Sequence, residues 1–487
     1  MVHVYPTITP PATFSVAKHK ALPIPLQDAE ERLQALVLAI HDDLEALCYP
    51  VRLWSYSKDP EVLEVAIVGG GHTGKSVAFG LRRHGITNVQ IFDRNPAGKE
   101  GPWRNYARNH TLRTPKIITG GLDWGIPNLN FCRWCIACYG RDYWQSITHI
   151  PRLLWAEYLD WYGKLLDLPI ENKVDIQKIT WDATHQSFHL HTPQKTYKAR
   201  FVILATGMES AGGKAIPTII SEALPSHCYA HTMQDINFCD LADKRVVVVG
   251  GGASAFDNAN AALAAGALKV DLVIRRSTLP NSNRIRWSEW NGFHRHYIDL
   301  DDKTKWYYTI EELRAGQLPP THTYYEALSN PCFTLYSQAP LEQLSYQNSE
   351  IIGVYGGEEM RHDFLICGTG FKVPSITNQA ELGSLSPHIL LWKDVYQPDS
   401  HSENEGLSNY PYLGNNLEFI PRDSEHDYIR RIYYLASGAA WMSGFRGNLS
   451  GLQFASPRVC YDIGRQLFLE YQEDIQADFA AYDLLEY

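Results

Sequence analysis

Two stretches of the chain repeat one order of hydrophobic, glycine-rich and amphipathic segments. The first has apolar residues 65–68, then glycines, then a helical pattern that ends near 84–85, then apolar residues 89–92. The second has apolar residues 246–249 and 270–274 around a similar glycine turn and helix. Strand, turn, helix and strand in this order form a βαβ unit. The sequence therefore predicts an α/β fold with two doubly wound, Rossmann-like domains.

The first 60 residues carry a different pattern and are predicted to be an N-terminal extension with a docking helix. Prolines between Pro6 and Pro25 indicate an extended lead-in. Asp28 and Glu31 then have the spacing of a helix capping box. An apolar face that packs on the main body is indicated by residues at helical intervals, namely Leu33, Leu36, Val37, Ile40, Leu44 and Leu47.

Composition and charge narrow the class of protein. Of the 487 residues, 45% are hydrophobic and 20% are charged, which is typical of a globular chain. The net charge of -10 argues against nucleic acid or an anionic membrane as a partner. No apolar run approaches the ~18 residues that span a bilayer, and residues 1–25 lack the features of a signal peptide. Because the nine cysteines also follow no disulfide framework, we expect a cytoplasmic protein.

The first glycine turn has the pattern G-x-G-x-x-G between a strand and a helix. Such glycines permit a tight turn, close approach of the backbone to a pyrophosphate, and close packing of helix on strand. The pyrophosphate then lies at the helix N-terminus, where free amides favour negative charge. Asp93 ends the second strand and is placed to accept hydrogen bonds from ribose hydroxyls. The candidate cofactor-binding residues here are Gly69, Gly71, His72, Thr73, Gly74 and Asp93.

The same residues also fit the phosphate-binding loop pattern G-x-x-x-x-G-K-S. In that interpretation Lys75 would hold phosphates and Ser76 would hold Mg²⁺. Asp93 and the second glycine turn belong to the dinucleotide pattern instead. We therefore favour a dinucleotide site and expect Lys75 to be an ordinary residue of the first helical turn.

The second glycine turn reads G-x-G-x-x-A, and its βαβ unit ends in two arginines rather than an acid. An acid there would repel a 2′-phosphate, whereas arginine offers it a planar fork of donors. The pattern therefore predicts NADPH rather than NADH, and the alternative is a pair of solvated surface arginines. The candidate residues are Gly250, Gly252, Ser254, Ala255, Arg275 and Arg276.

Further motifs resemble segments of the flavin-containing monooxygenase superfamily, which includes Baeyer–Villiger and N-hydroxylating enzymes. The resemblance runs from about Glu64 to about Ile463. One family strand has alanine where this chain has Gly368, and of a second family fingerprint only the half around His231 and Phe238 is present. The segments that carry the resemblance are 100–103, 111–116, 203–207, 229–238, 363–371 and 447–450.

The resemblance implies FAD and NADPH as cofactors, with an NADPH-binding domain inserted in a discontinuous FAD-binding domain. The boundaries are 1–60 for the extension, 61–215 and 356–487 for the FAD-binding segments, and 216–355 for the NADPH-binding domain. It also implies cofactor contacts at Trp103, Arg113, Ile176, Gly207, His231, Gly370, Asn448 and Leu449.

The resemblance further implies a monooxygenase that acts on a small molecule and O₂. In such enzymes NADPH reduces the flavin, O₂ adds at flavin C4a, and the hydroperoxide oxygenates nitrogen or sulfur in the substrate. Many members place an asparagine beside the flavin ring, where this chain has Arg113. Arg113 is therefore the catalytic candidate, as a cation that stabilises a peroxide or binds an anionic substrate. The alternative is that Arg113 pairs with a distant acid or with the FAD phosphate.

Other functions stay open at this stage, as do the substrate and the oligomeric state. Baeyer–Villiger oxidation of a ketone uses the same cofactors. A reductase of the thioredoxin reductase type needs a dithiol beside the flavin, usually in the nicotinamide domain, and no cysteine lies between Arg245 and Cys332. A non-enzymatic sensor would bind flavin without steady consumption of NADPH.

Two clusters suggest metal or redox chemistry but offer too few ligands. Cys132, Cys135 and Cys138 lack the fourth cysteine of an iron–sulfur cluster, so we predict packed helix cysteines. His294 and His296 lack a third ligand, so no metal is expected. The aromatic stretch 281–308 is interpreted as a lid over the active site.

Overall fold

A computed structural model describes residues 2–10, 22–54, 59–208, 212–280, 282–316, 318–372, 376, 379–436, 442–445 and 449–483. Part of the proline-rich lead-in, residues 11–21, lies outside these ranges, as do Gly447 and Asn448. The strands are β1 His3–Val4, β2 Val62–Val68, β3 Val89–Asp93, β4 Thr111–Pro115, β5 His149–Pro151, β6 Ile170–Asn172, β7 Lys178–Asp182, β8 Ser187–His191, β9 Thr196–Leu204, β10 Tyr229–His231, β11 Arg245–Val249, β12 Lys269–Val273, β13 Phe333–Ser337, β14 Leu341–Gln347, β15 Glu350–Tyr355, β16 Glu358–His362, β17 Phe364–Cys367 and β18 Ile432–Tyr434. The helices are α1 Ala29–Ala46, α2 His72–Arg83, α3 Phe131–Ser146, α4 Arg152–Leu165, α5 Thr218–Ala223, α6 Ala253–Ala264, α7 Arg284–Trp287, α8 Asn291–His296, α9 Asp302–Ala315, α10 Thr321–Leu328, α11 Trp392–Val395, α12 Glu405–Ser408, α13 Leu449–Glu470 and α14 Gln472–Ala481.

The first large sheet contains seven strands, six of them in the order β6-β3-β2-β9-β8-β7, with β18 paired to β9. Its central strands run parallel, with Ile67 of β2 opposite both Ile91 of β3 and Ile203 of β9. These side chains are fully buried, which explains why the strands read as continuous apolar runs rather than as an alternating pattern. Strands β7 and β8 continue the sheet as an antiparallel hairpin.

The second large sheet contains six strands in the order β1-β13-β12-β11-β17-β10. Strand β11 runs parallel to both β12 and β17, so the second βαβ unit also forms the centre of a parallel sheet. Strands β14, β15 and β16 form a separate antiparallel sheet. The prediction of an α/β fold with two Rossmann-like sheets is therefore confirmed.

The position of β17 in the second sheet differs from the predicted domain boundary at residue 355. Strand β17 lies between β11 and β10 in the second sheet, although the predicted boundary assigns its residues to the first domain. This placement favours an inserted domain that ends after Cys367. Sequence periodicity could not show this, because a buried parallel strand has the same apolar pattern in either sheet.

The N-terminal extension contacts the second sheet through β1 and helix α3 through α1. Strand β1 pairs antiparallel with the edge strand β13 of the second sheet. Helix α1 buries Leu36, Ile40 and Leu44, and Asp43 accepts a hydrogen bond from the backbone of Asn128 at 3.1 Å. The predicted capping box is wrong, because the Asp28 side chain makes no cap hydrogen bond and instead accepts one from Arg32 at 2.8 Å.

The carboxyl ends of the parallel strands carry the two glycine turns, each leading into a buried helix. Helix α13 packs beside α2, and Ser456 of α13 lies 3.1 Å from Ser76 of α2, hydroxyl to hydroxyl. No helix within the described ranges is long and apolar enough to cross a membrane. Each large sheet thus carries one glycine turn that leads into a helix N-terminus.

Candidate functional site

The first glycine turn requires glycine at two positions, at one for backbone conformation and at the other for lack of space. Gly69 has a φ of +111°, and a Cβ there would lie 2.3 Å from the carbonyl oxygen of Ala205. A Cβ on Gly74 would lie 2.0 Å from the carbonyl oxygen of Gly69. Helix α2 begins directly after Gly71, with His72 and Thr73 in its first turn. The turn therefore brings backbone amides and a helix N-terminus to one place, which is the arrangement that binds a pyrophosphate.

Asp93 lies at this turn with both carboxylate oxygens in use. Its Oδ2 accepts a hydrogen bond from the Gly70 amide at 2.7 Å, and its Oδ1 accepts one from the Asn95 amide at 2.8 Å. Oδ1 also accepts a hydrogen bond from the Asn95 side-chain amide at 3.0 Å, so Oδ2 is the oxygen with a second lone pair for a ribose hydroxyl. The carboxylate therefore holds the shape of the turn in addition to its predicted role.

The side chains of Lys75 and Ser76 point away from the glycine turn. The Lys75 ammonium donates to the carbonyl of Leu159 at 3.2 Å and lies 3.9 Å from a Glu100 carboxylate oxygen. Ser76 donates to the carbonyl of Gly121 at 2.5 Å. A phosphate-binding loop needs both groups at the phosphates, so the geometry opposes that interpretation.

Two buried ring nitrogens beside the turn fit a cofactor. His72 Nε2 and Trp103 Nε1 have no hydrogen-bond partner among the described residues, and the two ring centroids are 6.2 Å apart. Burial lowers the pKa of His72 to about 4, so the imidazole is neutral at physiological pH. A buried polar atom without a partner is costly, and a ligand with polar edges would satisfy both nitrogens. We take this pair as the observation that fits a flavin nucleotide at the first turn.

The second glycine turn explains the departure of Gly368 from the family pattern. A Cβ on Gly368 would lie 2.6 Å from the Cβ of Ala255, and one on Gly250 would lie 2.1 Å from the carbonyl oxygen of Gly368. Alanine at the third position of the turn therefore leaves room only for glycine on the neighbouring strand end. A Cβ on Gly252, in contrast, would meet no atom within 4 Å, so this glycine faces open space where a ligand can approach.

Arg275 and Arg276 follow β12 and are both exposed. The Arg276 guanidinium donates to the carbonyl of Ala315 at 3.4 Å. Both side chains are thus at the strand end where the sequence predicts a 2′-phosphate, and that role stays a prediction.

Arg113 connects the surroundings of the two turns. It lies in β4, and its Nη2 is 3.0 Å from Oδ2 of Asp257 and 3.5 Å from the Ser254 hydroxyl, both in helix α6. Burial raises the pKa of Asp257, and the nearby Arg113 guanidinium opposes that rise. The arginine therefore pairs with an acid that is distant in sequence, which is the contact that the alternative interpretation of Arg113 describes.

Other predicted contact residues lie around these turns. His231 donates from Nε2 to the carbonyl of Gly370 at 2.7 Å and accepts at Nδ1 from the Met233 amide at 3.2 Å. Burial lowers the pKa of His231, so it is a neutral ring that fixes the Gly370 turn. Gly207 has a φ of +69° after β9, and Ile176 is buried after β6. Leu449 begins α13, whereas Asn448 lies outside the described residues.

Sequence analysis did not identify the acids that contact β4 and its preceding segment from the second sheet's domain. Besides Arg113 and Asp257, Arg108 lies 3.6 Å from Asp235, and His110 lies 3.8 Å from Glu326. The acids are far from these residues in the chain, and no local pattern marks them. Only the packing of the two domains reveals the pairing.

The remaining clusters are placed as follows. Cys135 and Cys138 are buried in α3, as predicted, and burial raises the pKa of each thiol to about 12. Residue 281 of the aromatic stretch lies outside the described ranges, but Glu289 within it accepts a hydrogen bond from Ser450 of α13 at 3.4 Å. The stretch therefore contacts α13, the helix that packs beside α2, and its role as a lid stays a prediction.

Known proteins resemble this chain in sequence and in fold. A family model described as pyridine nucleotide-disulphide oxidoreductase matches residues 66–291. An FAD-dependent urate hydroxylase of Xanthomonas campestris pv. campestris is 36% identical over 469 residues, covering 93% of this chain and 97% of the relative. A Baeyer–Villiger monooxygenase of Pseudomonas aeruginosa is 28% identical over 195 residues, covering 39% of this chain and 34% of the relative.

Among solved structures, an ornithine N-hydroxylase of Kutzneria sp. 744 superimposes with a TM-score of 0.64 at 15% identity, covering 83% of this chain and 99% of that one. This likeness concerns the fold alone. The relative that is 36% identical over almost its whole length establishes the class. The chain belongs to the flavin-dependent monooxygenase superfamily, a group of oxidoreductase enzymes.

Proposed function

We propose that this chain binds FAD and NADPH and transfers one oxygen atom of O₂ to a small molecule. FAD would lie on the first glycine turn and NADPH on the second. The observation that carries the proposal is the contact of Arg113 in β4 with Asp257 and Ser254 in α6, because one side chain then reaches from the flavin side to the nicotinamide side. A hydride donor and its acceptor need this closeness.

The residues of the first turn support FAD at that position. Backbone amides after Gly69 and Gly71 and the start of α2 would hold the pyrophosphate, and Asp93 would accept from the ribose. His72 and Trp103 would meet polar edges of the cofactor with their buried nitrogens. When bound, FAD would supply hydride acceptance and activation of O₂, and the protein around the first turn would keep water out of the site.

The residues of the second turn support NADPH in a similar way. Gly252 faces open space at the start of α6, so the pyrophosphate can approach the helix N-terminus. Arg275 and Arg276 are exposed beside it and would bind the 2′-phosphate.

For the substrate we propose a planar nitrogen heterocycle of the urate type. The support is the urate hydroxylase that is 36% identical and aligns over 97% of its own length, so the alignment covers the whole of both nucleotide-binding parts. Oxygen would then enter the heterocycle rather than an amine or a thioether. N- or S-oxygenation, as first expected, is the alternative that product analysis distinguishes.

The test combines product analysis under ¹⁸O₂ with stopped-flow absorbance. The full-length protein, reduced by NADPH, is mixed with ¹⁸O₂ and one of urate, an amine, a sulfide or a ketone. We expect one labelled oxygen atom in the urate product and a transient near-ultraviolet flavin intermediate. NADH in place of NADPH is the coenzyme control. If all electrons from NADPH appear in hydrogen peroxide or in a reduced acceptor with every compound, the monooxygenase proposal is overturned.

The buried cysteines count against the reductase alternative. A dithiol reductase attacks its substrate with a thiolate, and burial raises the pKa of Cys135 and Cys138 to about 12. These thiols stay protonated at physiological pH, so they are poor nucleophiles.

A further inference from the structure

Two histidines and an aspartate meet on the surface of the C-terminal part of the chain, away from both glycine turns. His388 ends a short 3₁₀ turn, Ser386–His388, and Asp423 and His426 lie at the start of another, Ser424–Arg431. Asp423 is the N-cap of that turn, and its carboxylate contacts the ring of His426, so the two side chains lie on the same side. One metal-ligating atom from each of the three residues lies within 4.8 Å of the other two.

The backbones that carry the three side chains are fixed to one another. The Arg422 amide donates to the carbonyl of His388 at 2.8 Å, and Ile389 forms an antiparallel bridge with Pro421. The side chains themselves are close: the imidazole centroids of His388 and His426 are 3.5 Å apart, and His426 Nδ1 lies 2.6 Å from Asp423 Oδ1. The two chain segments that carry the ligands would therefore lose little conformational entropy when a metal ion binds.

We propose that His388, Asp423 and His426 bind a divalent transition-metal ion of the Zn²⁺ type, with water as the fourth ligand. Zn²⁺ binds imidazole nitrogen at ~2.0–2.1 Å and carboxylate oxygen at ~2.0–2.2 Å, so two ligands of one tetrahedral ion are about 3.4 Å apart. From the present spacing the contraction is at most about 1.4 Å, and the 2.6 Å hydrogen bond between His426 Nδ1 and Asp423 Oδ1 would open by about 0.8 Å if these two atoms were ligands. Rotation of the side chains covers that distance without moving the backbone.

The charges around His388, Asp423 and His426 favour a bound cation. Glu425 and Asp427 are exposed beside His426, and the neighbouring cations are directed elsewhere. Arg422 lies 2.7 Å from Asp394, and Arg430 lies 3.0 Å from Asp427. Two imidazoles and one carboxylate suit zinc, and Mg²⁺ or Ca²⁺ would prefer a site made of oxygen atoms alone.

The expected role of this ion is structural. It would join the segment around His388 to the segment that precedes β18, and β18 pairs with β9 of the first sheet. The sequence could not predict the site, because 34 residues lie between His388 and the D-x-x-H pair. The expectation of no metal rested on His294 and His296, which lie elsewhere.

The experiment is a Zn²⁺ titration of the chelator-stripped full-length protein, followed by calorimetry and by the thermal unfolding midpoint. We expect one tight equivalent and a higher midpoint in the wild type. His388→Ala and His426→Ala should lose both effects, and Asp423→Asn should bind at least about 10- to 100-fold more weakly. His185→Ala is the matched control, because His185 also bonds an aspartate, Asp182 at 2.7 Å, outside the proposed site.

Co²⁺ provides a second readout that does not depend on alanine variants folding normally. Cobalt in the proposed site should give weak visible bands of a four-coordinate nitrogen and oxygen site, without the near-ultraviolet band of a cobalt thiolate. The proposal is overturned if the wild type takes up no ion, if the His388 and Asp423 variants bind as well as the wild type, or if the spectrum shows cysteine ligands. None of these readouts depends on the proposed enzymatic function.

Discussion

In the ion pair between Arg113 and Asp257, we predict that replacing the arginine costs more unfolding free energy than replacing the aspartate. Only 5% of the Asp257 side chain is exposed, whereas 32% of the Arg113 side chain is exposed. Arg113→Ala leaves a buried carboxylate without its cation, which costs about 3–5 kcal/mol for a fully buried pair. Because Arg113 is partly hydrated, we expect the low end, about 3 kcal/mol of unfolding free energy. Asp257→Asn keeps the size of the side chain and one hydrogen-bond acceptor, and Arg113 can then be hydrated by water. We therefore expect Asp257→Asn to lower the unfolding free energy by only about 1 kcal/mol.

The cost of Arg113→Ala should also depend on pH in a defined direction. Burial already raises the pKa of Asp257 above its ordinary value of 3.8, and loss of Arg113 raises it further. The folded variant therefore holds a proton that the unfolded chain has released, so its stability falls as pH rises from the ordinary carboxyl range. The loss stops growing once the pH exceeds the pKa of Asp257 in the folded variant.

Urea unfolding followed by tryptophan fluorescence at several pH values between 5 and 8 measures both effects. Arg32→Ala is the control, since its exposed pair with Asp28 should contribute only about 0–1 kcal/mol. The reasoning about burial is refuted if Arg113→Ala and Asp257→Asn cost the same, or if the cost of Arg113→Ala grows toward acid pH. In that case the pair acts as a surface salt bridge.

Two further predictions concern the second glycine turn. Replacing Arg275 and Arg276 by alanine should lower the preference for NADPH over NADH by roughly 10- to 150-fold per lost phosphate contact, with the FAD content unchanged. Steady-state kinetics with both coenzymes measures this preference. An unchanged preference would rule out these arginines as the phosphate ligands. Gly368→Ala should lower the thermal midpoint through a clash worth about 1–3 kcal/mol, because the new Cβ lies 2.6 Å from that of Ala255. Gly464→Ala, which meets its nearest atom at 3.9 Å within a helix, should leave the midpoint unchanged or raise it, and equal losses in both variants would contradict the packing argument.

Local patterns were sufficient for the centre of each sheet and for the glycine turns. The run at 65–68 and the turn at Gly69 are encoded within a few residues, because strand burial and turn geometry depend on neighbours in the chain. The same holds for the buried thiols of Cys135 and Cys138, whose positions on one helix follow from their spacing.

Contacts between distant segments could not be predicted in this way. The pairing of Arg113 with Asp257 and the place of β17 in the second sheet both depend on how the domains pack. The failed capping box shows the limit even for local patterns, since Asp28 has the right residue type but bonds Arg32 in solvent instead. An exposed cap residue can exchange one weak partner for another at little cost in free energy.

The short strand β1 has a practical consequence for handling the protein. It covers the outer edge of β13, and Tyr5 extends the pairing by donating from its amide to the carbonyl of Leu335 at 2.9 Å. The side chains of Phe333 and Leu335 are buried behind that edge. A truncation that removes residues 2–10 would uncover a row of unpaired backbone groups on an apolar strand, which is a template for strand addition between molecules. A shortened chain would therefore be prone to self-association even with both nucleotide turns intact.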